Sequence, residues 1–298
     1  MKLPAVAAFL FVAVMIPLRS SNAQDRVKTK DEAQALVASL KFQQGEVVLK
    51  NGLATLKVPD GFRFLNGHDA GIVITKLWGN PPMPDPLGML MPVGASPLSA
   101  ESWGVIITYE EEGYVKDEDA EKIDYTDLLK KMKKGTLDAN AERQKQGYAA
   151  MELIGWAAPP RYDKAAHKLY WAKELKLSGE SEGTLNYNIR ILGRRGVLVL
   201  NAVAAMAQLR EIEKSAPKIL AALDFNPGNR YADFSEAAGD KVASYGIAAL
   251  VAGGVAAKLG FFKGLWILAL GAKKFVIIGF VALAAALRKL FGKKKAAS

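Results

Sequence analysis

Hydrophobic and polar positions divide the chain into three stretches. Leu3 to Leu18 is a nearly unbroken apolar run, Gln24 to Asp240 switches pattern every few residues, and the chain turns apolar again from Val242. In the middle stretch, Gly45 to Lys50 and Leu53 to Val58 flank Asn51-Gly52, which predicts a β-hairpin. Asp69 to Trp78 has a helical pattern with Asp69 as its N-cap, and a proline-rich stretch follows from Pro81 to Pro97. Trp103 to Tyr109 reads as a strand. Asp124 to Gln146 reads as a long polar helix with Leu128, Leu129 and Met132 on one face. Four strand-like runs come next: Tyr148 to Ala157, His167 to Leu177, Thr184 to Leu192 and Gly196 to Ala204. A helix from Met206 to Leu223, interrupted near Pro217, closes the series, and Asp224 to Asp240 reads as a polar tether. These elements predict an α+β fold: an exported domain with an antiparallel sheet covered by helices, followed by a C-terminal membrane helix region.

The two apolar ends carry the localisation signals. Lys2, the run to Leu18, and small Ser21 and Ala23 before Gln24 make a secretory signal peptide over residues 1–23. Val242 to Phe262 is an apolar stretch of 21 residues, reaching about 30 Å as a helix, enough to cross a bilayer. Ala249, Gly253 and Ala257 recur every four residues in it, a small-residue stripe suited to close helix packing. Leu265 to Leu287 is split by Lys273-Lys274, leaving 13 uninterrupted apolar residues, too few to span alone. Such a helix lies in the interface or returns as the second arm of a hairpin. The positive-inside rule favours one span, with Arg288, Lys289, Lys293, Lys294 and Lys295 in the cytoplasm.

Charge sharpens this division. The 298 residues carry a net charge of +10, but all ten charged residues in 241–298 are basic. Residues 24–240 hold 28 basic residues against all 30 acidic ones, so the body is slightly acidic and offers nucleic acid no cationic footprint. The chain has no cysteine, which excludes disulfides and thiolate metal sites and suits a bacterial periplasm. The expected organisation is a signal peptide at 1–23, an exported α+β domain at 24–240, and a membrane anchor with a basic tail at 241–298. The expected location is the bacterial inner membrane, with the main domain in the periplasm.

Candidate chemistry is sparse. His68 and His167 are the only histidines, and they fall in different elements, where ordinary polar or packing roles are expected. Asp117, Asp119 and Glu121 begin like a calcium loop, but Lys122 stands where its turn needs glycine; a solvated acidic lead-in to the helix is the simpler reading. No nucleotide, metal or nucleophile motif is present, and no cofactor is expected. The stretch from Trp78 to Pro97 is different, since long proline-stiffened apolar loops seldom lack a role. Trp78, Pro81, Pro82, Met83, Leu87 and Met89 form the candidate partner surface, methionines supplying adaptable contacts. Arg194-Arg195 is expected exposed at a hairpin tip, facing solvent, an acidic partner or lipid headgroups.

Several strings occur together in fixed order: Trp78-Gly79-Asn80-Pro81-Pro82, Gly113-Tyr114-Val115-Lys116-Asp117, Pro159-Pro160-Arg161-Tyr162-Asp163, His167-Lys168-Leu169-Tyr170-Trp171-Ala172 and Gly239-Asp240-Lys241-Val242-Ala243. In these the chain resembles the bacterial membrane-anchored proteins of domain-of-unknown-function family 2167. The resemblance implies a Gram-negative envelope protein with an exported domain and a C-terminal anchor, and brings no activity or site residues. The element order also resembles the PsbP/Mog1-like α+β sandwich, at the level of fold alone. The expected function is a membrane-anchored envelope protein whose exported domain binds or scaffolds an envelope or membrane protein beside the lipid bilayer. An envelope hydrolase or ligand-binding enzyme with a non-motif site is the alternative.

Overall fold

The computed structural model describes residues 29–80, 82–99, 102–145 and 147–253. The expected signal peptide, Pro81, Ala257 and the basic tail lie outside these residues. Helix α1 (Lys30–Ser39) starts at Thr29, whose hydroxyl accepts the Glu32 amide while the Glu32 carboxylate accepts the Thr29 amide. This reciprocal pair satisfies two donors that a helix start leaves open. Strands β1 (Glu46–Leu49) and β2 (Ala54–Lys57) form the expected hairpin. Asn51 (φ 53°) and Gly52 (φ 89°) take the left-handed conformations it needs.

Strand β3 (Phe62–Asn66) leads into helix α2 (Gly67–Ile72), which continues as a wider turn over Val73–Leu77. The N-cap is Asn66 rather than Asp69: the Asn66 side-chain oxygen accepts the Asp69 amide at 2.9 Å. The Asp69 carboxylate instead accepts the Lys41 amide at 2.9 Å. Strands β4 (Gly88–Pro92) and β5 (Gly104–Glu110) follow, then helix α3 (Tyr125–Lys145), capped by the Asp124 carboxylate. Strand β6 (Met151–Asp163) starts three residues after Tyr148 and runs on past the expected Ala157, while β7 (Lys168–Leu177), β8 (Thr184–Leu192) and β9 (Val197–Ala205) occupy three expected runs. Helix α4 (Leu209–Ala222) passes through Pro217 without interruption. Ile212, Ala216 and Ile219 bury one face on both sides of the proline, and that packing outweighs one missing backbone bond.

The seven longer strands pair antiparallel in the order β3-β4-β5-β9-β8-β7-β6, confirming the α+β class. Strand β10 (Leu223–Phe225) joins β1 and β2 in a separate three-stranded sheet. One face of the large sheet packs against this small sheet and α4 through Phe64, Leu90, Ile107, Leu200, Tyr187, Leu56 and Ile219. The other face is covered in patches. The α2 region covers Leu65, Met89 and Ile106, and α3 packs through Leu129 and Met132 on Met151, Leu153 and Leu175.

The third patch overturns the expected tether. Tyr231 is buried, and Ala243, Ile247, Leu250 and Val251 share its cluster with Leu169, Trp171 and Val197. The last three of these four lie on helix α5 (Ile247–Ala252), which starts five residues after the expected span begins. Ala249 lies on α5, whereas Gly253 takes φ 90° just beyond it, a conformation that stops a helix. Among the described residues no helix is long and apolar enough to cross a membrane.

Candidate functional site

The candidate partner surface divides in two. Trp78 is buried, its indole N–H donating to the Pro97 carbonyl at 3.0 Å, and Met89 is buried on β4. Leu87 is half-buried against the main core. These three are packing residues, because the stretch folds back into the sheet as β4. Pro82 and Met83 stay at the surface and line an open groove of about 520 Å³ with Gly67, His68, Ile72, Lys76 and Pro86. Gly67 lets the start of α2 approach the Pro86 backbone closely, since a Cβ there would sit 2.0 Å from the Pro86 carbonyl oxygen.

The acidic lead-in is dispersed into single structural tasks. The Asp119 carboxylate accepts the Ile247 and Ala248 amides and so caps α5. Asp117 accepts the Tyr162 hydroxyl at 2.6 Å, and that hydroxyl lies 3.3 Å from His167 Nδ1. Burial, then the bond to Asp117, raises the Tyr162 phenol above its ordinary value and keeps it protonated. His167, at φ 51°, stacks on Tyr231 at 4.0 Å, Tyr231 on Tyr114 at 4.3 Å, and Tyr114 on Phe234 at 4.1 Å. The four rings staple three distant segments together. Among the described residues no three His, Asp or Glu side chains gather to hold a metal ion.

At the β8–β9 turn Arg195 is exposed, as expected, and Arg194 is half-buried, but both also bond within the chain. Arg194 Nε donates to Asp240 at 2.6 Å and Arg195 Nε at 2.9 Å. The two guanidinium bonds hold the Asp240 carboxyl well below the usual carboxylate range.

The most unusual polar group was not singled out from the sequence. On the helix-covered face of the large sheet, β7, β8 and β9 bring Trp171, Lys173, Asn186, Asn188, Arg190 and Asn201 together. All six are buried. The signal was present in Asn186, Asn188 and Arg190, which alternate with Leu185, Tyr187 and Ile189. Alternation normally marks a solvated face; here that face is inside.

Residues 41–284 match the family described as "Protein of unknown function (DUF2167)". The chain belongs to that family. No curated protein matches this DUF2167 chain in sequence. Among solved structures it is similar to cyanobacterial PsbP (CyanoP) from Synechocystis sp. PCC 6803, at 14% identity and a TM-score of 0.34, covering 63% of this chain and 94% of that one. It is also similar to the Ran-binding protein Mog1p of Saccharomyces cerevisiae, at 11% identity and a TM-score of 0.33, covering 62% and 96%. LpqN, involved in cell envelope biogenesis of Mycobacterium tuberculosis, matches at 17% identity and a TM-score of 0.30, covering 64% and 95%.

Proposed function

We propose that this DUF2167 protein is a membrane-anchored envelope protein whose folded domain docks another envelope or membrane protein. The groove along α2 carries the reading. It is apolar at Ile72, Pro82, Met83 and Pro86 and charged at Lys76 and Asp85, a lining suited to a peptide segment of mixed character. Support for the location comes from the sequence: a secretory pattern ending at Ala23 and an acid-free, lysine-rich apolar C-terminus.

The test is site-specific photo-crosslinking in intact cells, with the probe placed at Met83 or, as a comparator, at exposed Val48 on β1. The expected result is a discrete protein adduct from position 83 and none from position 48. Equal labelling from both positions, or none from 83, overturns docking at this groove. Release of the whole chain from washed membranes by high salt overturns the anchor.

A further inference from the structure

The buried polar face of β7, β8 and β9 is independent of the groove. Register fixes its layout: Lys173 stands opposite Asn186, Trp171 opposite Asn188, and Asn188 opposite Asn201. With a side-chain period of two, all of them share one face with Arg190. Lys173, Arg190 and Asn201 are each only 9% exposed, and Asn186 is 1% exposed.

These groups are poorly satisfied. Asn188 Nδ2 donates to the Asn186 carbonyl and to Asn186 Oδ1, and Arg190 donates to the Ile189 carbonyl at 3.0 Å. The Arg190 guanidinium lies 5.0 Å from the centre of the Trp171 ring. Beyond these, Asn186 Nδ2, Trp171 Nε1 and Asn201 Oδ1 have no hydrogen-bond partner. Among the described residues neither Lys173 nor Arg190 is in an ion pair; burial lowers Arg190, and the Glu110 charge and Tyr245 partly offset this at longer range.

Two largely buried cations without a close ion-pair partner are an arrangement proteins avoid, because desolvating a charge is recovered only by a partner at close range. Burial, and then the Arg190 charge, lowers the Lys173 ammonium to about 8. Outside the described residues only Asp25 and Glu101 are acidic, and 254–298 contains neither Asp nor Glu.

We infer that this face of the sheet binds a phosphate-type oxyanion, with Lys173 and Arg190 as its charge partners. Asn186 Nδ2 and Trp171 Nε1 are its additional donors. A phosphate monoester carries between one and two negative charges near neutrality, which suits two cations, and its oxygens accept several hydrogen bonds. The unpartnered acceptor, Asn201 Oδ1, meets the P–OH of the monoanion. A simple carboxylate has no such donor. The phosphate is either a free solute or a lipid headgroup; the recognition chemistry is the same.

The experiment uses the full chain in neutral detergent and phosphate-free buffer. Sodium phosphate is titrated at constant ionic strength, and in a second arm short-chain phosphatidic acid is mixed into the micelles. Binding is read from the unfolding midpoint and from phosphorus NMR line widths. Wild type is expected to respond saturably. Lys173→Met and Arg190→Met weaken binding by about tenfold or more, the effect of losing a charge-assisted hydrogen bond. Lys176→Met, at an exposed position of the same strand, leaves it unchanged. Asn186→Leu provides a variant that keeps both charges and still loses affinity, and circular dichroism checks that each variant is folded. A response to inorganic phosphate supports a free solute as the ligand. A response to phosphatidic acid alone, lost in the variants, supports a headgroup. Failure to respond to either, or a response that survives Lys173→Met and Arg190→Met, overturns the site.

Discussion

Lys173 shows how much one position can decide. Its folded value near 8, against an ordinary 10.5, means that carrying the charge inside costs about 3 kcal/mol below pH 8 when no anion is bound. Between pH 8 and 10.5 the unfolded chain binds more protons than the folded one, so stability rises with pH through that window. Lys173→Met in phosphate-free buffer is expected to raise stability at pH 7 by about 1–3 kcal/mol, as replacing buried charge by apolar volume does elsewhere. The same substitution should flatten the rise between pH 8 and 10.5. Urea unfolding at a series of pH values checks both, and an unchanged slope refutes the assignment. The residues of this strip were visible in the sequence but their burial was not. Asn186, Asn188 and Arg190 look like the wet side of a strand until β9 and β7 flank them and helices cover the face.

At the scale of elements, short-range chemistry made most of the fold legible. Asn51-Gly52 marked the hairpin, Asp124 the start of α3, and the strand-like run Thr184 to Leu192 gave β8 at its full length. What escaped was set by partners distant in sequence. Asp119 looked like part of an acidic lead-in, yet its carboxylate caps a helix 128 residues away. Trp78 and Met89 looked like surface because the return of β4 into the sheet has no local signal. Asp119→Ala is accordingly expected to destabilise the protein by about 1 kcal/mol, the usual cost of losing a cap. Amide exchange at Ile247 and Ala248 should accelerate while exchange in β8 stays slow. Uniform acceleration would mean that α5 does not open on its own.

For the whole molecule, the Asp240 clamp holds residues 235–243 onto the β8–β9 turn: its carboxylate takes both arginines and the Ser235 amide. A carboxylate with a depressed folded value contributes stability above its ordinary value of 3.8, and that contribution disappears as pH falls through the folded value. Asp240→Asn should therefore lower the midpoint at pH 7, with the gap to wild type narrowing steadily as pH drops below 3.8. A gap independent of pH rules the clamp out as an electrostatic device. The division of the chain at this scale was legible from charge only in part: the acid-free segment begins at Lys241, but the packed core continues to Val251.

That continuation has a mechanical consequence. Tyr114 donates its amide to the Lys241 carbonyl and accepts the Ala243 amide, both at 2.8 Å, while Gly113 is tied to the Arg195 carbonyl. Tension entering the domain at residue 252 meets no slack cord. It is taken first by the α5 contacts and then by these amide bonds, which pass the load to the β5 and β9 strands at the middle of the sheet. The exit of the chain is a joint, and whatever pulls on it pulls on the core.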